Sequence, residues 1–313
     1  MGNFARPLLD TATVESFLIN CLGIEDDCEW LIDRAIKFDV LVKKIRDAEA
    51  TNSVVGQVPT IDGQANRQKK YRDEDARKAL RKTILTELIE MDRLDNDDDI
   101  KLGTGGAKPK GAEPVAGRSA YFVVGLPASG KSTLVTRTAD SLGAMIIDSD
   151  FAKRKLPEFE NTLAGANLVH KESSLIVIGD GGVASLLGYC KTKGLNVVIP
   201  TVGGSMEDVI VDAQALKDVG YKVHLSATIL GRHDAAKRAT SRFLETDRYV
   251  PLSLIFDGYA NDPVMHYYHQ RCEHANLSFW DSLGSCKTGG AQAGFLEYTD
   301  PANPIFLLEE DAK

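Results

Sequence analysis

The stretch that most constrains the fold is the run GLPASGKS at residues 125–132, which fits the pattern G-x-x-x-x-G-K-[ST] without a gap. The apolar run AYFVVGL, starting at Ala120, leads into it and is typical of a strand buried on both faces. The following KSTLVTRTADSL is suited to begin a helix. In such a setting, successive backbone N–H groups and the helix N-terminus face phosphate oxygens. The pattern therefore predicts a nucleotide-phosphate site; a chance match in an ordinary strand–turn–helix unit is the alternative.

Individual residues of this loop have expected roles. The ammonium group of Lys131 is expected to reach the β- and γ-phosphates, and the hydroxyl of Ser132 to hold Mg²⁺. The sequence has no N-K-x-D motif to read guanine and no ABC-type signature, which favours a small-molecule kinase that uses ATP. The predicted nucleotide contacts are Gly125, Leu126, Pro127, Ala128, Ser129, Gly130, Lys131, Ser132 and Thr133.

Three more apolar, β-rich runs follow the loop. They are AMIID at 144–148, NVVIPT at 196–201 and KVHLSAT at 222–228. Helical stretches separate them, most clearly Met206 to Val219, with Gly220 just past its end. Alternating strands and helices predict a parallel sheet covered on both faces. The predicted fold class is α/β, a P-loop kinase-like parallel sheet flanked by helices, with a small N-terminal helical domain.

The first hundred residues have helical periodicity. One predicted helix face carries Leu31, Ala35, Phe38, Val42 and Ile45; another carries Ala76, Leu80, Ile84, Leu88 and Met91. The run GTGGAKPKGAEPVAGR, rich in Gly, Pro and Lys, then predicts a linker. We therefore predict a helical domain at 1–100, a flexible linker at 101–118 and a kinase domain at 119–313.

Composition excludes several classes of protein. The 313 residues carry a net charge of −8, which is unsuited to gripping a nucleic-acid backbone. Five scattered cysteines argue against a disulfide framework and for a reducing compartment. The sequence has no signal-peptide pattern and no apolar run of the ~20 residues that span a membrane. The expectation is a cytoplasmic protein that binds a small molecule, without a nucleic-acid or membrane partner.

Two aspartates follow the second predicted strand. Asp148 and Asp150, in IIDSDFAKRKLPEF, lie where an open parallel sheet places its ligands. One of them is expected to orient Mg²⁺ or a water molecule, and the other to accept a proton from a substrate hydroxyl. Taken alone, either residue is also typical of a helix N-cap or a turn.

Four arginines follow the last of these predicted strands, in GRHDAAKRATSRFLETDRYVP. They are Arg232, Arg238, Arg242 and Arg248. Arginines stabilise the charge that spreads over phosphoryl oxygens during transfer. Arg238 and Arg242 are four residues apart and are expected to share a helix face. The alternative is that each is an ordinary surface arginine.

In this order the motifs resemble those of the zeta toxins, kinases of UDP-N-acetylhexosamines. The resemblance covers residues 121–251 and includes VHKESS and GLNVVIPTVGG. In that family ATP phosphorylates the 3′-hydroxyl of the amino sugar of UDP-N-acetylglucosamine. The resemblance implies that Asp150 is the catalytic base, which leaves Asp148 to join Ser132 at the metal. It also implies that Lys131 contacts phosphate and that Arg242 and Arg248 embrace the transferred group.

The sugar-nucleotide side departs from the family pattern. Pro200 stands where the family prototype has an acidic residue that helps to hold the sugar nucleotide. His170, Glu172 and Ser173, in HKESS, are therefore the candidate sugar contacts, together with Lys153 after the base. Helix caps or satisfied buried polar groups are the alternative for His170, Glu172 and Ser173.

The helical segment predicted at residues 1–100 corresponds in helix content to the antitoxin that the resemblance implies. Zeta toxins usually have a separate helical antitoxin that covers the nucleotide site, so residues 1–100 are predicted to be an inhibitor in cis. Tethering would give an effective concentration on the order of millimolar. The alternative is a domain for dimerisation or targeting. Rival functions for the whole chain are a kinase of another small molecule, such as a nucleotide cofactor or an antibiotic, and a non-catalytic nucleotide-binding module.

One further motif, HYYHQRCEH at 266–274, suggests a zinc site. Its spacing matches no closed four-ligand pattern. A helix that packs on the kinase core is the preferred interpretation.

Overall fold

The computed structural model describes residues 6–55, 58–160, 165–273, 279–288 and 296–298. Within these ranges the strands are β1 Ser119–Val124, β2 Met145–Ile146, β3 Val197–Pro200, β4 Lys222–Ile229, β5 Ser282–Lys287 and β6 Leu296–Tyr298. They form one sheet in the order β2-β3-β1-β4-β5-β6. The first five strands in this order are parallel, and β6 is antiparallel to β5. The predicted parallel sheet is confirmed.

The apolar run at β1 becomes the central strand. It pairs with β3 on one side and with β4 on the other, and Phe122, Val123 and Val124 are almost fully buried. A continuous apolar run suits this position because helices cover both faces of the sheet. The loop after β1 consequently emerges from the middle of the sheet, at the carboxyl ends of the parallel strands.

The N-terminal helices are α1 Thr11–Ser16, α2 Glu29–Ile32, α3 Phe38–Val55 and α4 Glu74–Glu90, and a π-helical turn, Phe17–Cys21, continues α1. The single helix predicted from Leu31 to Ile45 is wrong. Ala35 has a φ of +49°, which ends α2, and α3 begins only at Phe38. Left-handed backbone at Ala35 is unfavourable for a residue with a Cβ. The local sequence therefore does not predict that the helix is interrupted there.

Eight further helices connect and flank the strands. They are α5 Lys131–Leu142, α6 Ser149–Lys155, α7 Gly165–Leu168, α8 His170–Val177, α9 Leu186–Lys193, α10 Met206–Lys217, α11 Arg232–Thr246 and α12 Asp262–Cys272. The predicted helix from Met206 is confirmed as α10. The helix preferred for HYYHQRCEH is also confirmed as α12, whose Tyr267 is fully buried; His274 lies outside the described residues. Among the described residues, no helix combines the length and apolarity needed to cross a membrane.

The N-terminal hundred residues divide between two apolar cores. Leu80, Ile84 and Leu88 of α4 pack into the same core as Phe122 of the sheet. Helices α1 to α3 instead share a core with α11, with residues 249–255 and with Leu126 of the loop after β1. In its packing, α4 therefore belongs with the sheet, and residues 8–48 form a separate layer over the loop and α11.

The segment predicted as a linker is partly packed. Gly105, Gly106 and Ala107 are buried. The N–H of Ala107 donates to the carbonyl of Leu88 at 2.9 Å, and its carbonyl accepts from Ile146 in β2 at 3.2 Å. A Cβ on Gly106 would collide with the carbonyl of Met91. This part of the segment joins α4 to the edge of the sheet, whereas residues 110–113 are exposed.

Candidate phosphoryl-transfer site

The loop between β1 and α5 is shaped for phosphate. Ala128 and Gly130 have left-handed backbone, with φ of +61° and +87°, and Gly125 has a φ of +154°. A Cβ on Gly125 would collide with Oγ1 of Thr228 and lie 2.8 Å from Oγ of Ser129. A loop that alternates backbone conformations in this way turns its N–H groups inward, which is what an anion nest requires.

Neighbouring strands brace this loop. Oγ of Ser129 and Oγ1 of Thr228 in β4 are 2.6 Å apart, and both are buried. Oγ1 of Thr288, just after β5, donates to the carbonyl of Ser129 at 2.7 Å. The N–H of Gly125 donates to the carbonyl of Val202 at 3.1 Å. Residues from three parts of the sheet thus fix the loop before any ligand binds.

Lys131 and Ser132 open α5 at the end of the loop. Nζ of Lys131 donates to the carbonyl of Leu126 at 2.8 Å and to that of Gly125. Burial lowers the pKa of Lys131 to about 8, although the nearby Asp148 and Asp150 oppose this change. Ser132 and Thr133 are exposed at the helix N-terminus. The lysine therefore lies between the loop and the carboxylates that follow β2.

Those two carboxylates have opposite electrostatic settings. Oδ1 of Asp148 accepts from the N–H of Asp150 at 2.8 Å and so caps α6. Burial, reinforced by Asp150, raises the pKa of Asp148 to about 6. Burial also opposes ionisation of Asp150, but Lys153, at 2.6 Å, together with Arg154 and Arg248, lowers the pKa of Asp150 to about 2. Asp150 is consequently ionised at neutral pH, and the proton affinity of Asp148 is much higher.

Arginines complete the cluster. Arg242, on α11, interacts electrostatically with Asp150 and Asp98, and its Nε is buried without a hydrogen-bond partner among the described residues. Arg248 donates to Asp98, and Arg154 of α6 donates to the same carboxylate at 3.0 Å. Lysine, carboxylates and guanidinium groups therefore meet at the carboxyl ends of the strands.

A family model matches this region. Residues 106–261 match the model of the zeta toxin family. This span includes the phosphate loop, Asp148 and Asp150, and the two arginines predicted to contact the transferred group, Arg242 and Arg248. The chain belongs to the zeta toxin family over this span. The zeta toxin match and the loop geometry together make it a kinase-like P-loop protein of a toxin family.

Comparison with solved structures gives, among its matches, a distant likeness to a chain from a toxin-antitoxin study. The match is to a chain described in a study of the PezAT chromosomal toxin-antitoxin system of Streptococcus pneumoniae. It has 14% sequence identity and a TM-score of 0.43, and covers 67% of this chain and 75% of that one. A comparison with curated proteins finds no match.

The structure corrects two of the sugar contacts predicted for this member of the zeta toxin family. Glu172 is fully buried and binds Arg77, Arg81 and Thr60. Ser173 is also fully buried, and its Oγ donates to the carbonyl of His170 at 2.7 Å. Because both groups are satisfied inside the protein, neither faces a ligand. The alternative interpretation, a satisfied buried polar group, is the right one for this pair.

The other two sugar contacts remain predictions. Lys153 pairs with Asp150, as described above. His170 is exposed at the start of α8. Packing around its ring and the charge of Lys153 lower the pKa of His170, while Asp150 opposes them. Both side chains are therefore close to the proposed base.

Two of the four arginines in the sequence motif donate to backbone carbonyls instead of to the carboxylates of the cluster. Arg232 donates to the carbonyl of Phe256, and Arg238 to that of Thr288. Sequence reasoning missed Arg154 and Asp98. Arg154 follows Asp150 by four residues, so the two share a helix face, and this spacing was a signal that could have found it. Asp98 had no local signal, because its partners are 56 and 150 residues away.

Proposed function

We propose that the chain is an ATP- and Mg²⁺-dependent kinase that phosphorylates a hydroxyl of UDP-N-acetylglucosamine or a related UDP-N-acetylhexosamine. We propose further that it is a toxin held inactive by its own N-terminal helices. The observation that carries the kinase proposal is the electrostatic convergence of Lys131, Asp150 and Arg242 at the end of the phosphate loop. The identity of the acceptor, a UDP-N-acetylhexosamine, is proposed from the zeta toxin motifs.

The loop and the carboxylate after β2 suit a nucleotide with a metal. Ser132 and Asp148 are the residues that would hold Mg²⁺, which supplies charge neutralisation on the phosphate oxygens. The described residues contain no group of three or more His, Cys, Asp and Glu side chains that could hold a metal. Mg²⁺ at a nucleotide needs none, because phosphates and water provide most of its ligands. Lys131 would exchange its loop carbonyls for phosphate oxygens.

Asp150 is the proposed base. Its pKa of about 2 keeps it ionised, so it is in the form that accepts a proton. A base this weak accepts the proton only late, when the acceptor oxygen has begun to donate electron density to phosphorus. Late proton transfer suits a loose phosphoryl-transfer transition state. Arg242 and Arg248 would then stabilise the charge on the transferred group.

Packing of the N-terminal helices supports the inhibitory role. Helices α1 and α3 share a core with Leu126 of the phosphate loop and with α11. The ring of Phe17 lies edge-on to that of Phe256, with centroids 5.3 Å apart. Oε1 of Glu49 accepts from the hydroxyl of Tyr249 at 2.6 Å. We infer that a layer packed on both the loop and α11 opposes nucleotide binding.

The kinase proposal is tested by incubating a shorter chain, residues 58–313, which keeps α4 but lacks α1 to α3, with labelled ATP and a panel of UDP-sugars, with mass spectrometry of the products. A phosphorylated UDP-N-acetylhexosamine is expected. Asp150→Asn should lower turnover by about a hundredfold or more while ATP still binds. Asp148→Asn should instead raise the Mg²⁺ concentration needed for half-maximal turnover, because it removes a proposed metal ligand. Asp208→Asn, exposed on α10, is the control and should leave turnover unchanged. Release of inorganic phosphate alone would contradict the kinase assignment.

The inhibitory role needs a shorter chain that keeps α4, because α4 is part of the sheet core. We expect residues 58–313 to turn over ATP faster than the full chain. In the full chain, Phe17→Ala combined with Glu49→Ala should have the same effect, because it removes two contacts between the layers. Equal rates for all three proteins would refute inhibition in cis.

A further inference from the structure

A short 3₁₀ turn, Asp97–Asp99, follows α4 and carries three consecutive aspartates. Oδ1 of Asn96 caps the turn by accepting from the N–H of Asp98 at 3.1 Å. Ile100, directly after the turn, is buried in the sheet core. Because the turn is fixed at both ends, Asp98 has a defined place at the surface of the site.

Two arginines of the site bind this aspartate. Oδ1 of Asp98 accepts from Nη2 of Arg154 at 3.0 Å and from Nη1 of Arg248. Only 8% of the Arg154 side chain and 27% of the Arg248 side chain are exposed, so solvent screens these ion pairs incompletely. The adjacent Asp99 is exposed and makes no ion pair among the described residues.

The groups around Asp98 have unused capacity to bind an anion. Arg242 has a favourable electrostatic interaction with Asp98, and its buried Nε has no hydrogen-bond partner among the described residues. Arg154, Arg242 and Arg248 together present more donors than the single oxygen of Asp98 engages. A phosphoryl group, with three oxygens, matches a cluster of guanidinium groups better than one carboxylate does.

We infer that Asp98 is an internal stand-in for a phosphoryl group, seated between Arg154 and Arg248, and that it must leave before an anionic ligand enters. This inference rests on the proposed function, since it assigns those arginines to the transferred group, and it adds Arg154 to them. Because the aspartate and the ligand compete, the apparent affinity for the ligand equals the intrinsic affinity multiplied by the fraction of molecules in which the pocket is open. The contact is independent of α1 to α3, because the turn follows α4.

The test is titration of the full chain with inorganic phosphate, followed by calorimetry. Asp98→Asn keeps the shape of the side chain and removes its charge, so phosphate should bind on the order of tenfold more tightly than to the unchanged protein. Asp99→Asn makes the same charge change one residue away and should leave the affinity unchanged. Adding Arg154→Ala to Asp98→Asn should reverse the gain.

Equal phosphate affinity for Asp98→Asn and Asp99→Asn would overturn the inference, since the effect would then be one of net charge alone. No gain in Asp98→Asn, with the fold intact by circular dichroism, would overturn it as well. The UDP-sugar panel separates this result from the proposed function. If Asp98→Asn binds phosphate more tightly but phosphorylates no UDP-sugar even when residues 1–57 are removed, the internal contact stands and the kinase assignment fails.

Discussion

Tyr249 donates its hydroxyl hydrogen to Oε1 of Glu49 across 2.6 Å, and both side chains are buried. The two residues are 200 positions apart and join α3 to the segment after α11. Burial raises the pKa of Glu49, although the bond from Tyr249 opposes it. Burial also raises the pKa of Tyr249, and Glu49 adds to this rise. The pair is therefore a polar link within an apolar interface.

The first prediction concerns the pH dependence of this link. Since the pKa of Glu49 is higher in the folded protein than in the unfolded chain, the unfolded chain loses its proton first as pH rises. The free energy of unfolding should therefore decrease as pH rises from the unfolded pKa through the folded pKa of Glu49. Glu49→Gln should lack this component, so the difference between the two proteins should change with pH in denaturant titrations. A difference independent of pH would contradict the raised pKa.

The second prediction concerns Gly125→Ala. The added Cβ would meet Oγ1 of Thr228, and the φ of +154° is unfavourable for alanine. Backbone strain alone should cost roughly 1–3 kcal/mol, and ATP binding should be lost because the loop must move. Gly231→Ala is the control, since a Cβ there has nothing within 4 Å. Thermal unfolding and a nucleotide-binding titration check both variants, and normal ATP affinity in Gly125→Ala would show that the loop tolerates the side chain.

The third prediction tests whether α4 belongs to the sheet core. Arg77 is fully buried and binds both Glu158 and Glu172. Arg77→Met should cost about 3–5 kcal/mol, because it leaves two buried carboxylates without their main partner. Arg81→Met removes a more exposed arginine of the same cluster and should cost only about 1 kcal/mol. Urea unfolding gives both values, and similar small losses would mean that α4 is only loosely attached.

The fourth prediction concerns catalysis by Arg242. Arg242→Ala should lower kcat roughly a thousandfold, as expected for an arginine that stabilises charge on the transferred group. Lys237→Ala removes one positive charge from the same helix and should have little effect. Both are measured with ATP and UDP-N-acetylglucosamine in the shorter chain, residues 58–313, that carries Asp98→Asn. A kcat for Arg242→Ala close to that of Lys237→Ala would remove this arginine from the mechanism.

The sequence was sufficient to predict the sheet from β1 to β4 because each strand is a continuous apolar run next to a helix with a clear period. It was also sufficient to bring Lys131 and the two aspartates together, because the carboxyl ends of parallel strands share one edge. Strand β5, SLGSCK, has no such apolar run and was not predicted. Its burial comes from pairing with β4.

The errors arose where tertiary contacts decide the outcome. The sequence makes Glu172 a candidate ligand contact because its partner, Arg77, lies 95 residues earlier and leaves no signal in the sequence around Glu172. A signal was present at Arg77 itself, which lies three residues before Leu80 on the buried face of α4. Charge on a buried face implies a buried partner, but the sequence alone does not identify which one.

The division of residues 1–100 between two cores has a consequence for how such a protein would be switched on. If α1 to α3 act as the proposed inhibitor, detaching them would relieve that inhibition but leave the turn after α4, with Asp98, where it is. Displacing Asp98 would in turn leave α1 to α3 packed against Leu126 and α11. If both proposals hold, the chain would respond fully only when two separate events coincide, and neither an isolated proteolytic cut nor a rise in ligand alone would release all of its activity.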